Sequence, residues 1–362
     1  MKTELHIPRK CKAERLRAVD LFSGCGGLSF GLKRAGFAVM GAVELDPTAS
    51  ATYQRNHRKV QILNQDIRSI QPRKWMRELG LNPGDLDLLA GCPPCQGFSR
   101  LRTRNGANRN ADPRNMLAKQ MLRFVTIFRP KAVMMENVPG LKDRKVFRDF
   151  RRGLEELGYK VNWDIKDVQF YGVPQRRRRL ILLAGKGFEI PFAPESKKLR
   201  TVRQTIGALT HAGASGDQLH DFPETRSVKV RDLILRIPKN GGSRLALPQE
   251  DQLPCHQGCD GFNDIYGRMA WDKVAPTITS GCFNPSKGRF LHPEENRCIT
   301  MREAALLQSF PVHFKVPEYV TKTEVALMLG NALPPEFIRR HATEIRIAVT
   351  AQGLNGAKRR RF

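Results

Sequence analysis

Short apolar runs, each closed by a glycine, a proline or an acid, recur along the first half of the chain. Residues 18–22, 38–43, 60–63, 86–90, 132–135, 161–165 and 180–184 are largely aliphatic, with little polar alternation. That pattern belongs to strands buried on both faces, and such strands are parallel and covered by helices. Helical periodicity follows the first run over 28–35, with Gly36 as its stop, and returns over 147–157 before Gly158. Two further helical stretches, 324–329 and 335–348, lie near the C-terminus. Strand, glycine turn and helix in repetition predict an α/β fold with a doubly wound, mostly parallel sheet. Between 189 and 321 the pattern breaks. Pro191, Pro194 and the turn Lys239-Asn240-Gly241-Gly242-Ser243 point to a smaller domain. The expected division is therefore 1–188 with 322–362 as the larger domain, and 189–321 as the smaller.

In open α/β sheets ligands bind at the carboxyl ends of the strands, so the residues closing each run matter most. The first run leads into Ser23-Gly24-Cys25-Gly26-Gly27. The spacing differs from a dinucleotide fingerprint, because Ser29 takes the place of the last glycine. The second ends in Glu44-Leu45-Asp46, an acid 24 residues beyond Asp20 and placed to accept from a ribose diol. The third is followed by Asp66, placed to meet the exocyclic amine of an adenine. No phosphate-cradling lysine accompanies the turn, so the implied ligand carries a nucleoside and needs no phosphate.

The fourth run ends in Gly91-Cys92-Pro93-Pro94-Cys95-Gln96-Gly97-Phe98-Ser99. The prolines stop the strand and present Cys95 at its carboxyl end, where nearby donors and cations favour a thiolate nucleophile. Cys92 and Cys95 equally fit a redox dithiol or half of a metal site, and this stretch alone does not choose. The fifth run delivers Glu136-Asn137 to the same edge. Farther on, Gln175 precedes four arginines; alternation sends Arg177 and Arg179 to one face and Arg176 and Arg178 to the other.

Charge narrows the partners. Sixty-two Lys and Arg against 35 acids give a net charge of +27, which calls for a polyanion and makes nucleic acid the leading partner. Residues 100–131 hold nine of these cations and one acid, and the polar stretch 100–110 reads as a lid closing on phosphates. No apolar run approaches the roughly 18 residues of a membrane span. Eight scattered cysteines and an N-terminus without a signal-peptide core predict a cytoplasmic protein. Cys255-His256-x-x-Cys259 lacks a fourth ligand and a paired motif, so no metal is expected. The basic tail at 358–361 reads as a phosphate-seeking end.

Taken in order, these blocks resemble the DNA (cytosine-5) methyltransferases that use S-adenosylmethionine. The resemblance rests on Asp20-Leu21-Phe22-Ser23-Gly24-x-Gly26-Gly27, Pro93-Pro94-Cys95-Gln96-Gly97-Phe98-Ser99, Glu136-Asn137-Val138 and Gln175-x-Arg177-x-Arg179. Arg297-x-x-Thr300-x-Arg302-Glu303-Ala304-Ala305-x-Leu307-Gln308-x-Phe310-Pro311 and Gly330-Asn331-Ala332-x-Pro334-Pro335 complete it. Cys92 stands where the family usually has glycine. The resemblance implies Cys95 as nucleophile, Glu136 at N3 of the cytosine, Arg177 at O2, Arg179 holding Glu136 or the substrate, and Asn137 shaping the turn. It assigns Phe22, Ser23, Gly24, Gly26, Gly27, Glu44, Leu45, Asp66, Ile67, Pro94, Leu117 and Asn331 to S-adenosylmethionine. Double-stranded DNA is the implied substrate, with contacts expected from Gln96, Ser99, Arg100, Arg102, Arg104, Ser243, Arg244, Arg268 and Thr277. A monomer of the bacterial restriction-modification type, with a separately acting cognate endonuclease, is the expected setting. Three alternatives stay open at this point: an RNA methyltransferase of the same family, a catalytically silent DNA-binding protein, and a thiol oxidoreductase using Cys92 and Cys95.

Overall fold

The computed structural model describes residues 15–94, 117–253 and 263–359. Seven strands, β1 (Arg17–Leu21), β2 (Ala38–Glu44), β3 (Gln61–Asn64), β4 (Leu88–Gly91), β5 (Ala132–Asn137), β6 (Tyr159–Asp167) and β7 (Arg178–Lys186), form one sheet in the order β3-β2-β1-β4-β5-β7-β6. The first five are parallel, and β7 runs antiparallel to both of its neighbours. The expected doubly wound, mostly parallel sheet is present.

Helices cover both faces, which is why the central strands contain so few polar residues. Side chains alternate across a strand, so Ala18, Leu88, Ala90 and Met134 join one core with α1 (Gly27–Arg34) and the C-terminal helix, through Leu28, Leu32, Phe337 and Ile338. Val19, Leu21, Leu89, Val133 and Met135 point the other way. They pack with Trp75 of α3 (Pro72–Glu78), Phe124 and Phe128 of α4 (Leu117–Phe128), and Phe147 and Phe150 of α5 (Lys145–Glu156). Between β2 and β3 lies α2 (Pro47–Asn56), capped by the Asp46 carboxylate on the Ala49 N–H at 2.8 Å, with proline in its first turn.

The segment after β7 contributes no strand to this sheet among the described residues. Its longer helices are α6 (Val228–Arg236) and α7 (Met301–Leu307), and then the chain returns through α8 (Lys322–Asn331) to α9 (Pro335–Arg359). One apolar cluster joins Val202, Met269, Ile278, Leu307 and Phe314 to Phe30 of α1 and Ala49 of α2. A smaller one, built on Leu233, Ile234, Ile237, Tyr266 and Leu291, lies wholly within the segment. Among the described residues no helix is long and apolar enough to cross a membrane.

Two differences from the sequence pattern have plain causes. β6 and β7 are nine residues each, longer than their apolar cores, because they pair with one another from Tyr159–Lys186 to Asp167–Arg178. Helix α4 falls inside the basic stretch whose charge masked its apolar stripe of Met121, Phe124, Val125 and Phe128.

The last helix seats directly on α1. A Cβ on Gly31 would lie 2.5 Å from Ile338 Cβ and 2.6 Å from the Pro335 carbonyl oxygen, so the helices approach to backbone distance. Overpacking such a contact costs about 1–3 kcal/mol, more than the roughly 1 kcal/mol that alanine gains in a helix. Gly31→Ala is therefore expected to lower the melting temperature, measured by thermal unfolding, whereas Gly353→Ala, at an exposed position of α9, is expected not to lower it because its Cβ meets nothing within 4 Å.

Candidate active site

The strand order reverses between β1 and β4, so the crevice of the sheet opens at their carboxyl ends. Phe22, just beyond β1, holds φ at +60°, a costly value for a bulky side chain, and Gly24 follows at +53°. Such strain persists where surrounding structure fixes the backbone for a purpose. The three glycines of this turn do different jobs. A Cβ on Gly24 would meet nothing within 4 Å, leaving its backbone open to a ligand. On Gly26 it would strike His57 Nε2 at 2.4 Å, and on Gly27 the Leu333 carbonyl oxygen at 2.5 Å. Gly26 and Gly27 thus serve close internal packing, and Gly24 alone presents an open backbone.

At the end of β2, Glu44 accepts from Gly24 N at 2.7 Å and from Asp46 N at 2.8 Å, and burial raises its pKa. Its carboxylate stitches the β1 turn to the β2 turn. Leu45 beside it is 63% exposed, an apolar side chain left uncovered at the crevice. Asn64 donates to the Glu44 and Leu45 carbonyls at 2.9 and 3.0 Å, fixing this edge to β3. Asp66 takes a bidentate contact from Arg68, which holds its carboxyl below the usual range; Ile67 is buried. Ser23 is buried, and its hydroxyl faces the Val43 carbonyl at 3.4 Å. Exposed Asn331 ends α8.

A parallel strand begins at the far side of the sheet, so only a reversed strand can bring its own first residues to the carboxyl edge. β7 does this. Glu136 pairs with Ile181 and Asn137 with Leu180, and Arg179 then stands with Nε 2.7 Å from Glu136 Oε1. The contact is an ion pair rather than an aligned hydrogen bond. Burial raises the Glu136 pKa, opposed by Arg179 and Arg177. Asn137 donates from Nδ2 to the Pro93 carbonyl at 2.9 Å and accepts from Val138 N at 2.8 Å, tying β5 to the segment that leads to Cys95. Cys92 is a free thiol, raised far above its ordinary pKa by burial and by the Glu136 and Asp20 carboxyls. It is poorly suited to be a nucleophile. Cys95, Gln96, Ser99, Arg100, Arg102 and Arg104 lie outside the described residues, as do Cys255, His256 and Cys259.

The alternation of the four arginines is as expected, with Arg176 and Arg178 exposed and Arg177 buried. Arg177, however, spends its Nη atoms on backbone. Nη1 donates to the Ile278 carbonyl at 2.8 Å, and Nη2 to Gly330 at 2.7 Å and Ala332 at 3.3 Å. Arg179, not Arg177, is the guanidinium paired with Glu136, and its side chain is 15% exposed. Gln175 is a fastening that sequence reasoning noted only as a motif letter. Fully buried, it donates to Gln308 Oε1 at 2.7 Å and accepts from Ile278 N at 2.9 Å.

The expected base-contacting residues divide. Arg268 is fully buried and donates to the carbonyls of Ile234, Ile237, His292 and Glu295 and to Asn296 Oδ1. Arg244 is 1% exposed and bonds Gln252 Oε1 at 2.8 Å. Both are buried within the protein rather than presented at its surface, and a sequence gives no sign of acceptors brought in from other turns. Thr277 donates to the Arg176 carbonyl at 2.6 Å, and Ser243 caps a short turn by accepting from Leu245 N. Arg176, Arg178, Thr277 and Lys287 line a cleft of about 440 Å³ beside the start of β7.

Residues 16–346 match the family described as C-5 cytosine-specific DNA methylase. The chain belongs to that family. It is 36% identical to the Type II methylase M.HgiDII of Herpetosiphon aurantiacus over 87% of this chain and 91% of that one. It is 33% identical to the Type II methyltransferase M1.HphI of Haemophilus parahaemolyticus, over 88% and 84%. A crystal structure of a prophage-encoded E. coli protein assigned to the DNA modification methyltransferases superposes with a TM-score of 0.68 at 24% identity, covering 92% of this chain and 99% of that one. For a cytosine-5 methylase, enzymatic methyl transfer to carbon 5 is the chemistry its residues serve, and the fold is the one such enzymes use for S-adenosylmethionine.

Behind the methylase's open turn lies a buried polar chain. Ser29 Oγ donates to Asp20 Oδ2 at 2.6 Å and stands 2.7 Å from the Tyr53 hydroxyl. Asp20 Oδ1 finds no partner among the described residues, and burial pushes the carboxyl up to about 7. The unfolded value is near 3.9. Between about pH 4 and 7 the folded protein therefore holds a proton that the unfolded chain releases, and stability falls as pH rises, by at most about 1.4 kcal/mol per pH unit. Asp20→Asn keeps an acceptor for Ser29 and removes the titration. Denaturant unfolding across this window is expected to show a shallower decline than in wild type.

Proposed function

We propose that the protein transfers a methyl group to C5 of a cytosine within a short specific double-stranded DNA sequence, through a covalent Cys95–C6 adduct. The observation carrying this reading is the Glu136–Arg179 ion pair at the carboxyl edge of the sheet, one strand from the segment that leads to Cys95 and fastened to it by Asn137. Cytosine C5 is too weak a nucleophile to take a methyl unaided. Addition of the Cys95 thiolate to C6 drives the electron pair toward C5, O2 and N3. Glu136, its pKa raised by burial, holds a proton at N3, and Arg179 steadies the carboxyl beside the base. Loss of the C5 proton and expulsion of the thiolate then restore the ring.

S-adenosylmethionine fits the open edge and supplies an electrophilic methyl when bound. Gly24 offers free backbone, Glu44 lies at the tip of β2 where a ribose diol binds, Leu45 leaves an apolar face for the adenine, and Asn331 approaches from α8. Phe22, Ser23, Ile67, Pro94 and Leu117 belong to the same edge. Asp66 reaches an adenine amine only by exchanging its contact with Arg68. Because a stacked cytosine hides both faces, the base must swing out of the duplex into this pocket. Arg176, Arg178 and Lys287 along the cleft, with the overall excess of cations, suit the phosphates on either side. DNA rather than RNA is favoured by the family and by the Type II relatives. We read the enzyme as a cytoplasmic monomer with a separately acting endonuclease.

Bisulfite sequencing of plasmid from expressing cells tests the reading. Wild type is expected to protect cytosines in one short recurring sequence, Cys95→Ala to protect none, and Glu136→Gln to slow methylation by at least about 10²-fold, in the range of a lost general acid. Well-folded wild-type protein that protects no cytosine would overturn it.

A further inference from the structure

The Gly330–Ala332 turn is pinned to the catalytic strand by one buried side chain. Arg177 stands at the entry to β7, two residues from Arg179, and is 2% exposed. Among the described residues its guanidinium forms no ion pair with a carboxylate. It donates instead to three carbonyls: Ile278 at 2.8 Å, Gly330 at 2.7 Å and Ala332 at 3.3 Å. The last two flank Asn331, whose own side chain is exposed. The turn is also pressed against the segment that carries Ile278, since a Cβ on Gly330 would lie 2.3 Å from Ser280 N and 2.6 Å from the Thr279 carbonyl carbon. Three stretches distant in sequence, 177, 278–280 and 330–332, therefore meet around one positive charge.

We propose that Arg177 is a positioning residue for the cofactor rather than a contact to the target base: it clamps the peptides on both sides of Asn331 and so presents Asn331 to S-adenosylmethionine. This rests on the cofactor reading above. A planar fork with five donors spreads them over carbonyls of two chain segments; a lysine ammonium, a compact point with three donors, matches only part of the set. Losing the fork leaves buried carbonyls unpaired, and the turn moves to solvate them. The same side chain continues into the strand that carries Arg179, so cofactor seating and the Glu136 ion pair share a support. Arg177 Nε has no acceptor among the described residues, and a bond from it to cytosine O2 is the competing role.

Two measurements on the full chain without DNA separate these roles. Titration with S-adenosylmethionine, followed by calorimetry, is expected to show binding weakened about tenfold or more in Arg177→Lys, the scale of one lost hydrogen bond to a charged group. Arg179→Lys is expected to stay within about twofold. In an Asn331→Ala background, Arg177→Lys is expected to add less than about twofold, because the clamp then has nothing to present. Hydrogen exchange in the cofactor-free protein is expected to quicken over 329–333 and 278–280 in Arg177→Lys, with melting otherwise cooperative. Gly330→Ala, which forces the same turn away without touching a charge, is expected to reproduce both effects. Arg177→Lys protein that binds the cofactor as wild type does, with unchanged exchange at 329–333, would overturn the clamp. If wild type itself failed to bind S-adenosylmethionine, the cofactor reading would fall, and the exchange comparison would still decide whether Arg177 fixes the turn.

Discussion

An arginine can meet Glu136 at the carboxyl edge only if one strand runs against the rest. Parallel strands deliver their last residues to that edge, so β1, β2, β3, β4 and β5 supply an open glycine, two acids, a cysteine-bearing segment and a glutamate. β7 enters there instead of leaving. Its first residues and the lead-in before it carry Gln175, Arg177 and Arg179, each spent differently: one on the α7 end, one on the Asn331 turn, one on the carboxylate. The reversal brings a charged pair to an edge that parallel strands alone would supply only with their last residues.

Two of the buried arginines are held chiefly by backbone, and that decides where they belong. Arg177 and Arg268 share one design, a guanidinium enclosed by carbonyls from separate turns. Each would cost several kcal/mol to bury unpaired, so its partners must already stand in position when the loops close. The exposed arginines, Arg176 and Arg178, keep their charge for solvent or phosphate. A net charge of +27 therefore overstates what is offered to DNA, since part of it is structural mortar.

The sheet was legible because its strands are apolar and sharply ended. Residues 132–135 could hardly be anything but a buried strand, and the acids after them fell on the edge where ligands bind. Helix α4 was hidden because its apolar stripe is interleaved with Lys119, Arg123 and a strongly basic approach. The meeting of Arg179 with Glu136 and the turn at Asn137 were readable, since residue type and strand end together restrict what can stand there. The burial of Arg177, Arg244 and Arg268 was not legible in the sequence. Carbonyls enclose Arg177 and most of Arg268, and a side-chain amide meets Arg244, and an arginine in a basic protein looks like a surface charge until such partners are seen. The packing role of Gly27, whose missing Cβ makes room for Leu333, was not legible in the sequence.

The seat of α9 on Gly31 sets an order of events for the growing chain. α1 leaves the ribosome more than three hundred residues before α9, yet Ile338 fills the space above Gly31 and Leu333 that above Gly27. Until α9 is made, the apolar face of α1 and the back of the glycine turn stand open to water. Such long-range closure is slow and leaves unfinished chains sticky. Premature termination anywhere before 338 leaves α1 without the side chain that fills the space above Gly31.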